Sequence, residues 1–250
     1  TPKGMKILNN FLNICGCKRN YSIKGLDKKI VAEIRATVGD ETVIVGVSGG
    51  VDSLVSSVLI KQATPKIFCV FVNHGLLRKG DDEYVKQLYS SLGFENFYYV
   101  DASETFLKKL RGITDPELKR KIIGNAFVEV FEKKVNELKK QHGEIKFLGQ
   151  GTIYPDRIES AKASAAAAVI KTHHNVGGLP EKMRLNLIEP VKDLYKDEVR
   201  ELGKAIGLPK EALSRHPFPG PGLAVRIVGE VTKERLDILA AADAIFIEEL

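Results

Sequence analysis

Two stretches, Val43-Ile44-Val45-Gly46-Val47 and Ile67-Phe68-Cys69-Val70-Phe71-Val72, carry no polar side chain at any position. A strand with one wet face alternates polar and apolar residues, so an unbroken apolar run of strand length needs cover on both faces. Helical spacing fills the intervals. Helices are expected from about Ser53 to Lys61, from Asp81 to Leu92, and from Pro116 to Lys140, where Ile122, Phe127, Val130, Phe131, Val135 and Leu138 lie at helical spacing. Further strands are expected at Asn96 to Val100 and Ile145 to Leu148. Strand and helix thus alternate, which predicts an α/β fold: a parallel twisted sheet with helices on both faces. Such sheets take ligands beyond the carboxyl ends of their strands, and Ser48 and Asn73 both fall there.

The first of those ends continues as Ser48-Gly49-Gly50-Val51-Asp52-Ser53. Glycines let backbone N–H groups approach a ligand with no Cβ in the way, and with the first turn of the following helix these groups form an anion nest. Phosphate is the expected ligand. No lysine follows the second glycine, so this is not the Walker pattern, and it is not G-x-G-x-x-G. An aspartate lies inside the loop instead. A carboxylate beside phosphate repels it unless a magnesium ion takes oxygens from both, so Asp52 points to magnesium and a nucleoside triphosphate. The structural alternative is a glycine-requiring turn whose helix is capped by Asp52 or Ser53.

Composition limits the partners. The 250 residues include 38 Lys and Arg against 32 Asp and Glu, a net +6 spread along the chain, which suits a small polyanion better than nucleic acid. Cys15, Cys17 and Cys69 form neither a disulfide framework nor paired zinc knuckles, which suggests a reducing, cytoplasmic setting. There is no run of about 18 apolar residues and no signal peptide, so no membrane association is expected. Beyond Thr152, the stretch Ala161 to Ala168 is small and featureless and Lys171 to Gly178 is polar and glycine-rich; together they read as a mobile lid. A helix at Asp193 to Gly203 follows. The prolines of His216-Pro-Phe-Pro-Gly-Pro-Gly222 exclude helix and central strand and suggest a domain junction, before a last helix from about Lys233 to Ala242. The first residue is Thr and the last helix ends still apolar, so a fragment is expected.

Six further motifs narrow the reading: Phe71-Val-Asn-His-Gly-Leu-Leu-Arg78, Asp115-Pro-Glu-Leu-Lys-Arg-Lys-Ile-Ile-Gly124, Gln150-Gly-Thr-Ile-Tyr-Pro-Asp156, His173-His-Asn-Val-Gly-Gly-Leu-Pro180, Lys196-Asp-Glu-Val-Arg200 and Arg215-His-Pro-Phe-Pro-Gly-Pro-Gly222. With the loop, which resembles the pyrophosphate loop of the N-type ATP pyrophosphatases, they resemble the GMP synthetase family. The resemblance implies residues 1–20 as a linker from an absent glutaminase domain, 21–216 as the ATP pyrophosphatase domain, and 217–250 as the start of a small α+β dimerisation domain. It implies ATP-dependent amination of xanthosine monophosphate (XMP) to GMP through an adenylyl-XMP intermediate. Ammonia would come from glutamine through a glutaminase domain or subunit, and the full-length protein would be a homodimer.

Site roles follow from the same resemblance. Ser48, Gly49, Gly50, Val51 and Ser53 would hold pyrophosphate, Asp52 would anchor magnesium, and Lys196 would meet the pyrophosphate. Val72 would offer backbone groups to adenine and Phe127 would cover the ring, although both suit core packing equally. Gly151 and Thr152 would meet ribose or phosphate. Lys171, His173 and His174 would close over the intermediate to exclude water, with His174 able to accept a proton. Arg215 and His216 would border the XMP phosphate. The competing readings are another N-type pyrophosphatase such as NAD synthetase, which gives no reason for the motifs at 150–156 and 216–222, and a non-catalytic adenine nucleotide-binding module, which needs neither Asp52 nor Lys196.

Overall fold

The computed structural model describes residues 2–158 and 185–250. Among these, β1 (Val43–Val47), β2 (Ile67–Asn73), β3 (Phe97–Asp101), β4 (Phe147–Gly149) and β5 (Asn186–Ile188) form one parallel sheet in the order β3-β2-β1-β4-β5. The chain steps outward from β1 to β3, then crosses back to the far side of β1. The strand order thus reverses between β1 and β4, and the crevice beyond their carboxyl ends is the position where doubly wound sheets bind ligands. Ser48 leaves one strand and Gln150 the other.

Each apolar run is split between two cores by the strand period of two. Val43, Val45, Val47, Ile67, Cys69 and Phe71 pack into one layer with α2 (Leu26–Val38), α3 (Val51–Ala63), α4 (Asp81–Ser91), α7 (Lys196–Ala205) and α8 (Lys210–Ser214). Ile44, Phe68, Val70 and Val72 pack into the other with α5 (Ser103–Leu110), α6 (Pro116–His142), a 3-10 turn (Gly222–Arg226) and α9 (Lys233–Glu248). Gly46 is the gap in this second face: a Cβ there would meet the Phe131 ring at 3.2 Å. Burial pushes the Cys69 thiol up to about 12, which keeps it a protonated core side chain.

Several elements extend beyond their expected ends. α3 begins at Val51 because Gly50 takes an extended conformation and serves as its N-cap, which puts Asp52 in the first turn. The last helix runs on to Glu248 rather than stopping near Ala242. α1 (Gly4–Ile14), α2 and β5 have no counterpart among the expected elements; α1 buries none of its residues and leaves Met5, Ile7, Leu8, Phe11 and Ile14 exposed. No helix among the described residues is long and apolar enough to cross a membrane.

The proline-rich stretch and α9 are held firmly to the strand layer. The Leu223 N–H donates to the Leu76 carbonyl at 2.8 Å, and Gly222, at φ +66°, lies so close that a Cβ would sit 2.2 Å from that oxygen. The fully buried Lys119 ammonium donates to the carbonyls of Ile227 at 2.7 Å and Gly229 at 2.6 Å. Desolvation lowers its pKa, and the carbonyls keep the charge tolerable. Asp243, buried on α9, accepts from Arg78 Nε at 2.9 Å and Arg226 Nη1 at 2.6 Å, and both guanidinium groups lie over the Phe218 ring.

His74 stiffens the loop between these parts. Its Nδ1 accepts the Leu76 N–H at 3.1 Å, and burial pushes its pKa down from 6.5 to about 4. The folded state thus holds the neutral ring, while the unfolded chain binds a proton below 6.5. This stabilisation is complete above that pH and declines as pH falls toward 4. Unfolding free energy is expected to fall by about 2 kcal/mol between pH 7 and 5 from this group. In urea titrations, His74→Asn should flatten that dependence. An unchanged slope would show that His74 does not titrate in this way.

Candidate functional site

The loop at the end of β1 is closed by its own hydroxyls. Ser48 and Ser53 Oγ lie 3.2 Å apart, Ser53 Oγ donates to the Gly50 carbonyl at 3.0 Å, and the Gly50 N–H reaches Ser48 Oγ at 3.4 Å. Gly49 sits at φ +72°, where a side chain would be strained. These contacts and the first turn of α3 gather N–H donors at one place, with the helix dipole adding positive potential.

Asp52 lies in that turn and pairs through Oδ2 with Lys196 Nζ. Lys196 is the first residue of α7, where the helix dipole opposes a cation, so its placement is explained by the carboxylate opposite. The Tyr195 N–H donates to Glu198 at 2.7 Å and fixes the start of that helix. The other Asp52 oxygen, Oδ1, is buried and has no hydrogen-bond partner among the described residues. A buried, unpartnered carboxylate oxygen is costly in isolation, and a divalent cation would satisfy it. Asp52 therefore fits magnesium. No group of three or more His, Cys, Asp or Glu suited to a metal occurs among the described residues.

The β4 exit closes the crevice. Gly151 lies against the loop so tightly that a Cβ would stand 2.7 Å from Ser53 N and 2.8 Å from Asp52 C. Thr152 is buried beside it, and the Asp156 carboxylate accepts the Ile153 N–H at 3.0 Å to hold the turn. Gln150 Oε1 is another buried oxygen with no hydrogen-bond partner among the described residues; it opens the motif at 150–156, where only Gly151 and Thr152 were expected at the site.

The adenine candidates are less sharply defined. β1 ends opposite Phe71 while β2 continues to Asn73, so Val72 has no pairing residue on β1. Its side chain is buried in the core layer of α6. Phe127 packs against the same layer and stacks on Phe131 at 6.0 Å, which accounts for it as packing whatever else it covers.

Arg215 lies against the glycine loop at the end of β1. It pairs with Asp81, sits over the Tyr84 ring at 4.2 Å, and directs Nη1 at the Gly49 carbonyl at 3.4 Å. His216 is exposed, and its carbonyl accepts from Arg78 at 3.2 Å. Nothing in the sequence ties Asp81 to Arg215, since the two lie 134 positions apart and meet only where the residue after α8 reaches the start of α4. Lys171, His173, His174 and the alanine-rich stretch lie outside the described residues.

No protein-family model matches the chain. Curated relatives match it along its whole length: the glutamine-hydrolysing GMP synthases of Carboxydothermus hydrogenoformans, Symbiobacterium thermophilum and Thermotoga maritima are 54%, 53% and 52% identical over 252 residues. The chain spans 48%, 48% and 49% of these proteins, about half their length. Among solved structures, NMN synthetase from Francisella tularensis superposes with a TM-score of 0.60 at 19% identity, covering 89% of this chain and 87% of that one. NH3-dependent NAD synthetase from Campylobacter jejuni gives 0.57 at 16% identity, covering 92% and 88%. These two likenesses bear on the fold alone.

Proposed function

We propose that this chain, related over its whole length to GMP synthases, is the ATP pyrophosphatase portion of an enzyme that aminates XMP to GMP. The observation that carries the reading is the Asp52 carboxylate in the first turn of α3, with one oxygen on Lys196 and the other buried with no partner among the described residues. A module that only binds adenine nucleotide has no use for that arrangement. The sheet is shared with NMN and NAD synthetases, so the fold alone does not separate them; identity above 50% to GMP synthases favours the present reading.

In the proposed reaction the C2 oxygen of XMP attacks the α-phosphorus of ATP. The bond to the bridging oxygen breaks and pyrophosphate leaves. Ammonia then attacks C2 and AMP departs, leaving GMP. Ser48, Ser53 and the loop N–H groups would hold the departing pyrophosphate, and Lys196 would offset the charge that develops on it. Asp52 would hold magnesium, which when bound neutralises phosphate charge. Val72 and Phe127 would border adenine, Gly151 and Thr152 the ribose and α-phosphate side, and His216 the acceptor. Lys171 and His174 keep the roles the resemblance implies, shielding the intermediate and accepting a proton.

A glutaminase domain or subunit supplying ammonia, a homodimer of the full-length protein and a cytoplasmic location belong to the same reading, as does a division into 1–20, 21–216 and 217–250. The test is incubation with magnesium, α-labelled ATP, XMP and ammonium. AMP, pyrophosphate and GMP are expected, with none formed when XMP is omitted. Pyrophosphate release that depends instead on a nicotinate dinucleotide, or ATP binding with no release, would sink the proposal.

A further inference from the structure

Two carboxylates lie near a loop read as a pyrophosphate site: Asp52, within it, and Asp81, which reaches it through Arg215. Each would repel a polyanion, and each is paired with a cation from the last third of the chain. Asp52 has a free oxygen and a use for it. Asp81 sits in the first turn of α4, side by side with Asp82 and Glu83, and its ion pair with Arg215 leaves both side chains mostly buried.

The wall that α4 presents to the loop is tight. Gly49 lies against Val85, and a Cβ at Gly49 would come within 2.6 Å of Val85 Cγ2 and 3.4 Å of Arg215 Nη1. In a nest of N–H donors the carbonyls must turn away from the anion. Arg215 holds the Gly49 carbonyl from behind, at 3.4 Å, while Asp81 and the Tyr84 ring hold its guanidinium plane. Lysine cannot reproduce this geometry, since a planar fork is needed to reach a carboxylate and a carbonyl while stacking on a ring.

We infer that Arg215 is a positioning residue for the pyrophosphate loop, acting through Asp81 and the Gly49 carbonyl, rather than a ligand of either nucleotide. The inference rests on the reading of the loop as a pyrophosphate site, and the probe is chosen accordingly: magnesium and inorganic pyrophosphate, titrated into the chain by calorimetry, with no acceptor or turnover required. Arg215→Gln and Asp81→Asn are each expected to weaken pyrophosphate by roughly ten- to a hundredfold, the range for breaking one charged hydrogen-bonded contact. In the coupled reaction both should raise KM for ATP and leave KM for XMP within about twofold, a split that general loosening of the fold would not produce.

The sign of the Asp81→Asn effect decides between roles. If Arg215 instead touched pyrophosphate directly, freeing it from Asp81 would tighten binding, and that result overturns the inference. A rise in KM for XMP alone overturns it too, since Arg215 would then serve the acceptor. Should Arg215→Gln fail to fold, Arg215→Lys and Asp81→Asn carry the test, with lysine expected to restore less than half of the lost binding free energy. Wild-type chain that does not bind pyrophosphate would remove the pyrophosphate reading itself and this inference with it, whereas wild-type binding with unaffected variants removes the inference alone.

Discussion

Asp52→Asn is expected to slow pyrophosphate release by about a thousandfold or more at saturating ATP and magnesium. Asparagine keeps the shape and one acceptor, so the loop should still form, but two charges lose their partner at once. The Lys196 ammonium is left facing a neutral amide, and the oxygen that fits magnesium loses its negative charge. Both losses fall on the step in which charge moves onto the leaving group, so kcat should drop far more than ATP affinity. The measurement is AMP formation from α-labelled ATP, with thermal melting as the control for folding. A loss smaller than tenfold would mean that Asp52 neither anchors the metal nor stabilises the departing charge.

Gly151→Ala is expected to reduce the same rate by at least about a hundredfold while changing no polar group. The added methyl would stand 2.7 Å from Ser53 N, 2.8 Å from Asp52 C and 3.0 Å from Asp52 O, and all three are backbone atoms at the start of α3. A flexible side chain could swing aside; a helix N-terminus packed in a core cannot. Either the β4 exit loop or the first turn of α3 must shift by several tenths of an ångström, which displaces the loop donors and Asp52 together. Stability should fall by about 1 to 3 kcal/mol, the usual range for overpacking. Near-normal turnover would show that the crevice between β1 and β4 is not where the chemistry occurs.

The parts of this architecture that sequence made readable are those with a repeat or a chemical motif. The unbroken apolar runs of β1 and β2 implied two covered faces, and the structure divides their side chains between two cores. Ser48 to Ser53 implied a strand, a turn and a helix start, and Asp52 and Lys196 were singled out before their pairing was visible. The missed features depend on distant contacts. β5 is only three residues long and carries no pattern of its own; it exists because β4 offers an edge. Helix α2 was legible in principle, since Ile30, Val31, Ile34 and Val38 lie on one helical face, but it carries no chemical motif. Arg215 sits in a conspicuous motif, yet its partners Asp81, Tyr84 and Gly49 are all more than a hundred positions upstream, and no local rule could pair them.

The clamp on the last segment has a consequence for the order in which the molecule is made. Arg78 meets Asp243 across 165 positions of sequence, Lys119 meets Gly229 across 110, and Asp52 meets Lys196 across 144. Contacts of such separation cannot form while the later residues are still inside the ribosome, and they contribute little to early folding. Until residue 229 emerges, a lysine destined for the interior must stay solvated, which keeps the start of α6 from settling against the sheet. The glycine loop is encoded early, but the two cations near it, Lys196 and Arg215, arrive late. A nascent chain halted before α7 would present that loop with two uncompensated carboxylates near it, so the proposed nucleotide binding should be a property of the finished molecule and absent from its growing intermediates.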